Sequence, residues 1–82
     1  MPPLPVVSGR MLIAFMGSLG YAVTRQRGSH VRLELRNDRG TWRETVPLHR
    51  EVARGTLRGI LKRVAEATEL EIDDLVERLR QS

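Results

Sequence analysis

The sequence predicts an α+β domain: a three-stranded antiparallel sheet with helices on one face, in the order α-β-β-β-α, followed by a C-terminal helical extension. Three observations carry that expectation. Apolar residues recur at helical spacing in the first quarter of the chain and again after residue 56. Between them, Val31, Leu33 and Leu35 alternate with Arg32, Glu34 and Arg36, the period of a strand with one wet face. Two turn sequences, Arg27-Gly28-Ser29 and Asn37-Asp38-Arg39-Gly40, separate the alternating segments as hairpins do.

The elements follow in order. Ser8 is an N-cap for a helix over 9–19, because its hydroxyl can accept a bond from a free first-turn amide. Leu12, Phe15, Met16 and Leu19 form its apolar stripe, and Gly20 is placed as the C′ residue. Tyr21 to Gln26 reads as the first strand, with Tyr21 and Val23 on one face. Val31 opens the alternation of the second strand. Thr41 to Val46 is the third, ended by Pro47, which has no amide for another ladder bond. Leu48 to Gly55 is a polar loop. Gly55 or Thr56 then caps a helix whose core face is Leu57, Ile60, Leu61 and Val64, and which frays near Thr68. Leu70, Ile72, Leu75, Val76 and Leu79 mark a last helical piece, opened by a capping box from Thr68 to Glu71.

Length and composition bound the function. A chain of 82 residues buries only about 60% of its unfolded surface, so it makes one domain, 1–82, with one modest core. That core is expected over about 4–66, with the helical extension over 67–82. Any active site is then shallow, which suits a polymer better than a small molecule. The absence of cysteine removes disulfides, thiolate metal sites and cysteine nucleophiles, and fits a reducing cytoplasm. No apolar run approaches the roughly 20 residues of a membrane helix. Charge is unevenly placed: residues 1–65 carry a net +8 and residues 66–82 a net −4. A basic body of this kind points to a polyanion, although a merely solvated surface gives the same count.

Few residues can carry chemistry. The two histidines, His30 and His49, have no partners at metal-ligand spacing, so neither a metal nor a cofactor is expected. Ser29 does not sit on a strand-to-helix elbow and is a poor acyl-transfer nucleophile. By strand parity His30 lies with Arg32, Glu34 and Arg36 on the polar face. Histidine ordinarily titrates near 6.5, so it can move protons at neutral pH, while arginines hold a phosphodiester. RNA brings its own nucleophile, the 2′-hydroxyl, so a base, an acid and phosphate anchors suffice. Parity alone leaves a second reading open, that of a solvated histidine that only binds phosphate. His49 is either a second proton-transfer group or a loop residue satisfying backbone. Gly55-Thr56-Leu57-Arg58, with Arg54, can seat an anion at a helix start, or simply begin a helix. Trp42 either stacks a base or belongs to the core.

Five motifs stand in order: Leu4-Pro5-Val6-Val7-Ser8-Gly9, Gly20-Tyr21, Arg25-Gln26-x-Gly28-Ser29-His30, Val46-Pro47-x-His49, and Gly55-Thr56-Leu57-Arg58-x-Ile60-Leu61. Together they resemble the HicA (YcfA-like) toxins over about 4–64, and more loosely to 79. The resemblance implies a fold like that of double-stranded-RNA-binding domains and ribosome-independent cleavage of messenger RNA. It also implies a HicB-type antitoxin that holds the toxin inactive. His30, the histidine of Gly-Ser-His, takes the catalytic role that the family assigns there. The chain departs from the family in its longer break over 64–70, and in Gly17 and Gly59 within helices. Arg54, Arg58 and Lys62 replace the lysine-rich signature of true double-stranded-RNA-binding domains.

The expectation is therefore a metal-independent cytoplasmic endoribonuclease toxin without cofactors. His30 is its catalyst and His49 a second candidate, with Arg25, Arg27, Ser29, Arg54, Thr56 and Arg58 binding RNA phosphates. The alternative is a non-catalytic RNA-binding module of the same fold. A third reading is a pure interaction protein whose acidic segment, Glu66 to Glu77, meets a partner.

Overall fold

The computed structural model describes residues 2–82. In it α1 (Gly9–Ser18) leads into β1 (Ala22–Arg27), β2 (His30–Asn37) and β3 (Gly40–Pro47), and α2 (Arg54–Thr68) and α3 (Ile72–Gln81) follow. The strands form one antiparallel sheet in the order β1-β2-β3. The expected fold class, α+β with a three-stranded antiparallel sheet and C-terminal helices, is the one observed.

Local signals set α1 as expected. The Ser8 hydroxyl accepts the Met11 amide at 3.1 Å. At the far end the Leu19 and Tyr21 amides both donate to the Met16 carbonyl. Gly9 is where the helix start meets the end of β3, and a Cβ there would be driven into the Pro47 carbonyl. Only glycine permits this approach. The Gly9 amide then donates to the His49 carbonyl at 2.9 Å, and the Val52 amide to the Val7 carbonyl at 2.8 Å. The N-terminal segment is thereby pinned, with Leu4 and Val7 buried.

The sheet buries one face. Val31, Leu33 and Leu35 of β2 and Val46 of β3 pack with Leu12, Phe15 and Met16 of α1 and Leu57, Ile60, Leu61 and Val64 of α2. Glu44 shares this face, 6% exposed, and Arg63 of α2 meets it side-on with bonds of 2.8–3.1 Å. A buried carboxylate needs such a partner, because desolvation penalises a lone charge. Trp42, also on this side, is half-buried against the core with the Arg39 guanidinium 5.3 Å from its ring centre. The core reading of Trp42 therefore holds.

β1 differs from its expected course. It begins at Ala22, and Val23, expected on one face with Tyr21, is 54% exposed, whereas Tyr21 is buried. The ladder pairs Val23 with Leu33 but Arg25 with Arg32, so a bulge at Thr24 puts one extra residue in the strand. Side chains alternate with a period of two, so one extra residue exchanges the faces of everything after it. Arg25 and Arg27 consequently lie on the open face.

Both expected caps of the C-terminal helices differ in the structure. Neither Gly55 nor Thr56 caps α2: the cap is Ala53, whose carbonyl accepts the Leu57 amide at 2.9 Å, and it offers no side-chain bond. α2 does end at Thr68, as expected, but its last carbonyls are not left open. Asn37 and Arg39, at the tip of the β2–β3 hairpin, donate to the Ala67 carbonyl at 3.1 and 2.8 Å, and Arg39 also reaches the Glu66 carbonyl at 2.6 Å. They satisfy acceptors that a helix end otherwise leaves to water. The Thr68–Glu71 capping box does not form. Thr68 bonds back to the Val64 carbonyl, and Glu71 stands at the N-cap of α3 without a side-chain bond. α3 closes the core with Leu75, Val76 and Leu79, all at most 1% exposed.

Candidate functional site

The open face of the sheet gathers positive charge around one histidine. His30 begins β2 and is paired in register with Arg27 of β1 and Pro47 of β3. Two residues on, Arg32 lies between Arg25 and Thr45. These two rungs bring Arg25, Arg27, His30, Arg32 and Thr45 around a shallow depression of about 160 Å³. All five are exposed. The tight turn that aims His30 depends on Gly28 at φ 57°, in the left-handed region, with the Gln26 side-chain amide bonded to the Gly28 carbonyl.

Electrostatics favour an anion in this depression. Among the described residues no carboxylate pairs with Arg25, Arg27 or Arg32. Glu34, the acid of this face, is taken up by Arg43 at 3.0 Å and Arg36 at 3.5 Å. The hydrogen bond from Arg43 holds its carboxyl below the ordinary range. Glu34 thus offsets part of the charge at the far end of the face and leaves the His30 end cationic.

The other sequence-predicted residues are distributed differently. Ser29 lies in the turn before His30, and its carbonyl accepts the Leu48 amide at 2.6 Å, joining the turn to the end of β3. His49 lines a separate depression of about 220 Å³ with Ser8, Arg10, Leu48 and Arg50. The two histidines therefore do not share a depression. Arg54, Thr56 and Arg58 stand exposed at the start of α2, whose first-turn amides have no side-chain cap. Arg54 borders a small cleft with Leu4, Pro5, Val6, Glu51, Val52 and Leu57. None of the three lines the His30 depression.

Two lining residues, Arg32 and Thr45, are outside the predicted phosphate-binding set. Arg32 was legible, since it is two residues from His30 on the same strand. Thr45 was not, because only the β2–β3 register places it opposite Arg32.

Comparison with known proteins bears on this arrangement. The family described as HicA toxin of bacterial toxin–antitoxin matches residues 9–65, which run from the start of α1 almost to the end of α2. No curated relative and no solved structure matches the chain. The matched stretch contains His30, His49 and the arginines of the open face, and no described helix is long and apolar enough to cross a membrane. The chain belongs to the HicA toxin family of bacterial toxin–antitoxin systems, and with that to a pair whose other member is its cognate antitoxin.

Proposed function

We propose that this toxin is an endoribonuclease that cleaves messenger RNA in the cytoplasm, independently of ribosome and metal, with His30 as the proton-transfer group. The supporting observation is the exposed depression in which His30 sits among three arginines that have no carboxylate partner among the described residues. In the reaction the 2′-hydroxyl oxygen attacks the adjacent phosphorus. The new O2′–P bond forms as the P–O5′ bond breaks, leaving a 2′,3′-cyclic phosphate and a 5′-hydroxyl. One proton leaves the 2′-oxygen and one is delivered to the 5′-oxygen. His30 performs one of these transfers and water the other, a contribution of roughly 10²–10⁴-fold. Arg25, Arg27 and Arg32 neutralise the non-bridging oxygens as charge builds on them. Thr45 adds a hydroxyl at the depression and Ser29 one from the turn before His30, and Arg54, Thr56 and Arg58 provide phosphate contacts farther along the strand. The antitoxin is of the HicB type and holds the site inactive.

The test is incubation of purified protein with single-stranded RNA in EDTA across pH 5–8. Wild type yields fragments with cyclic-phosphate ends, whereas His30→Ala yields none yet keeps its affinity for RNA. Undiminished cleavage by His30→Ala removes His30 from the mechanism. RNA binding without cleavage by the wild type leaves the non-catalytic module in its place.

A further inference from the structure

We infer that the depression formed by Arg10, His49 and Arg50 is a second phosphate subsite, which holds the RNA strand a few nucleotides from the His30 depression. This inference rests on the RNA reading of the His30 site, and it gives His49 a binding task instead of a proton-transfer one.

Three observations support it. First, the depression is cationic and accessible. Arg10, His49 and Arg50 are exposed around about 220 Å³, and among the described residues neither arginine has an ion-pair partner. Two neighbouring polar groups are already engaged: Ser8 Oγ accepts the Met11 amide and the Gly9 amide donates to the His49 carbonyl. The three basic side chains stand exposed beside them.

Second, the two depressions are rigidly coupled. His30 and Pro47 are register partners, and the Leu48 amide is bonded to the Ser29 carbonyl. A register pair separates Cα atoms by at most about 5.5 Å and two residues of chain by at most about 7 Å, so the Cα atoms of His30 and His49 lie within about 13 Å. A polynucleotide strand spans that distance in a few nucleotides, passing around the end of the β2–β3 ladder. No acidic side chain lines either depression.

Third, Arg10 stands where a cation is unfavourable to the fold. It is the second residue of α1, whose first turn contains no acid, although a helix N-terminus repels positive charge. α3 obeys the opposite rule, with Asp73 and Asp74 in its first turn and Arg78 and Arg80 in its last. A bound phosphate turns that local conflict at α1 into an attraction.

The experiment compares two RNAs sharing one cleavage site, a short oligonucleotide confined to the His30 depression and a long strand that also reaches the second. Arg10→Ala/Arg50→Ala is measured against wild type, with Arg78→Ala on α3 as a control for loss of charge. The double variant should raise KM on the long RNA about tenfold more than on the short one. The slope of log affinity against log salt should also fall by about 1.4, at roughly 0.7 per phosphate contact. His49→Gln should raise KM on the long RNA and spare kcat. Equal effects on both RNAs, or a salt slope no different from that of Arg78→Ala, overturn the subsite. A collapse of kcat in His49→Gln returns His49 to the catalytic step. Should the wild type bind RNA without cutting it, the Proposed function fails, and the salt slope still decides the subsite by itself.

Discussion

Tyr21 keeps its hydroxyl inside the core without a hydrogen-bond partner. Burial, and then the nearby Glu44 carboxylate, push its pKa up to about 12, against a smaller lowering by Arg63. In the unfolded chain the same phenol ionises near 10. Between those values the unfolded state gives up the proton first, so stability is flat at neutral pH and falls as the pH climbs from about 10 towards 12. Urea midpoints measured from pH 7 to 11.5 should show that decline, and Tyr21→Phe should abolish most of it. At pH 7 the same substitution should be neutral or stabilising by up to about 1 kcal/mol, since it removes an unsatisfied buried group. A clear loss of stability at pH 7 instead means that the hydroxyl has a partner in solution. His30 is the opposite kind of residue: it is exposed, and its environment is defined by the two strands beside it.

At the scale of elements, the β2–β3 hairpin and α2 are one unit. Arg39 alone donates to two α2 carbonyls, pairs with Glu69 at 3.2 Å and lies over Trp42. Arg39→Ala should therefore cost roughly 1–2 kcal/mol, allowing for solvent screening of a partly exposed charge. Amide exchange should quicken at both the hairpin tip and the last turn of α2. Protection lost at the hairpin alone refutes the linkage. This unit also explains what the sequence left unread. Strand alternation, the Ser8 cap and the two turns are local, and each was legible from a few neighbouring residues. The end of α2 near Thr68 was legible, but the groups that satisfy its last carbonyls were not, because one of them is Asn37, 30 residues away in the chain. The Thr68–Glu71 pattern was locally plausible and lost to Thr68 bonding back to Val64. Of the site, His30 and Arg32 were legible by parity, whereas Thr45 needed a register that no local pattern encodes.

For the molecule as a whole, the family match ends at residue 65, yet the core does not. Leu75, Val76 and Leu79 are fully buried, and Leu70 and Ile72 pack beside them. Each buried aliphatic side chain contributes about 1.5–3 kcal/mol, against a total of about 5–15 kcal/mol for a typical domain. A chain ending at Glu69 should therefore be largely unfolded at 25 °C by circular dichroism, and inactive for that reason. A cooperative thermal transition in the shortened chain, at an unchanged midpoint, contradicts this account. The whole-molecule charge pattern follows from the same division. The acidic segment builds α3, while the basic remainder supplies both cationic depressions.

The bulge at Thr24 has one more consequence. It acts as a phase shifter within a single short strand: ahead of it Val23 stands opposite the inward-facing Leu33, and behind it Arg25 and Arg27 stand opposite the outward-facing Arg32 and His30. The two halves of β1 therefore answer to different requirements without interfering. Substitutions after Thr24 can retune the cationic face while the interior ahead of it, anchored by Tyr21, is left untouched.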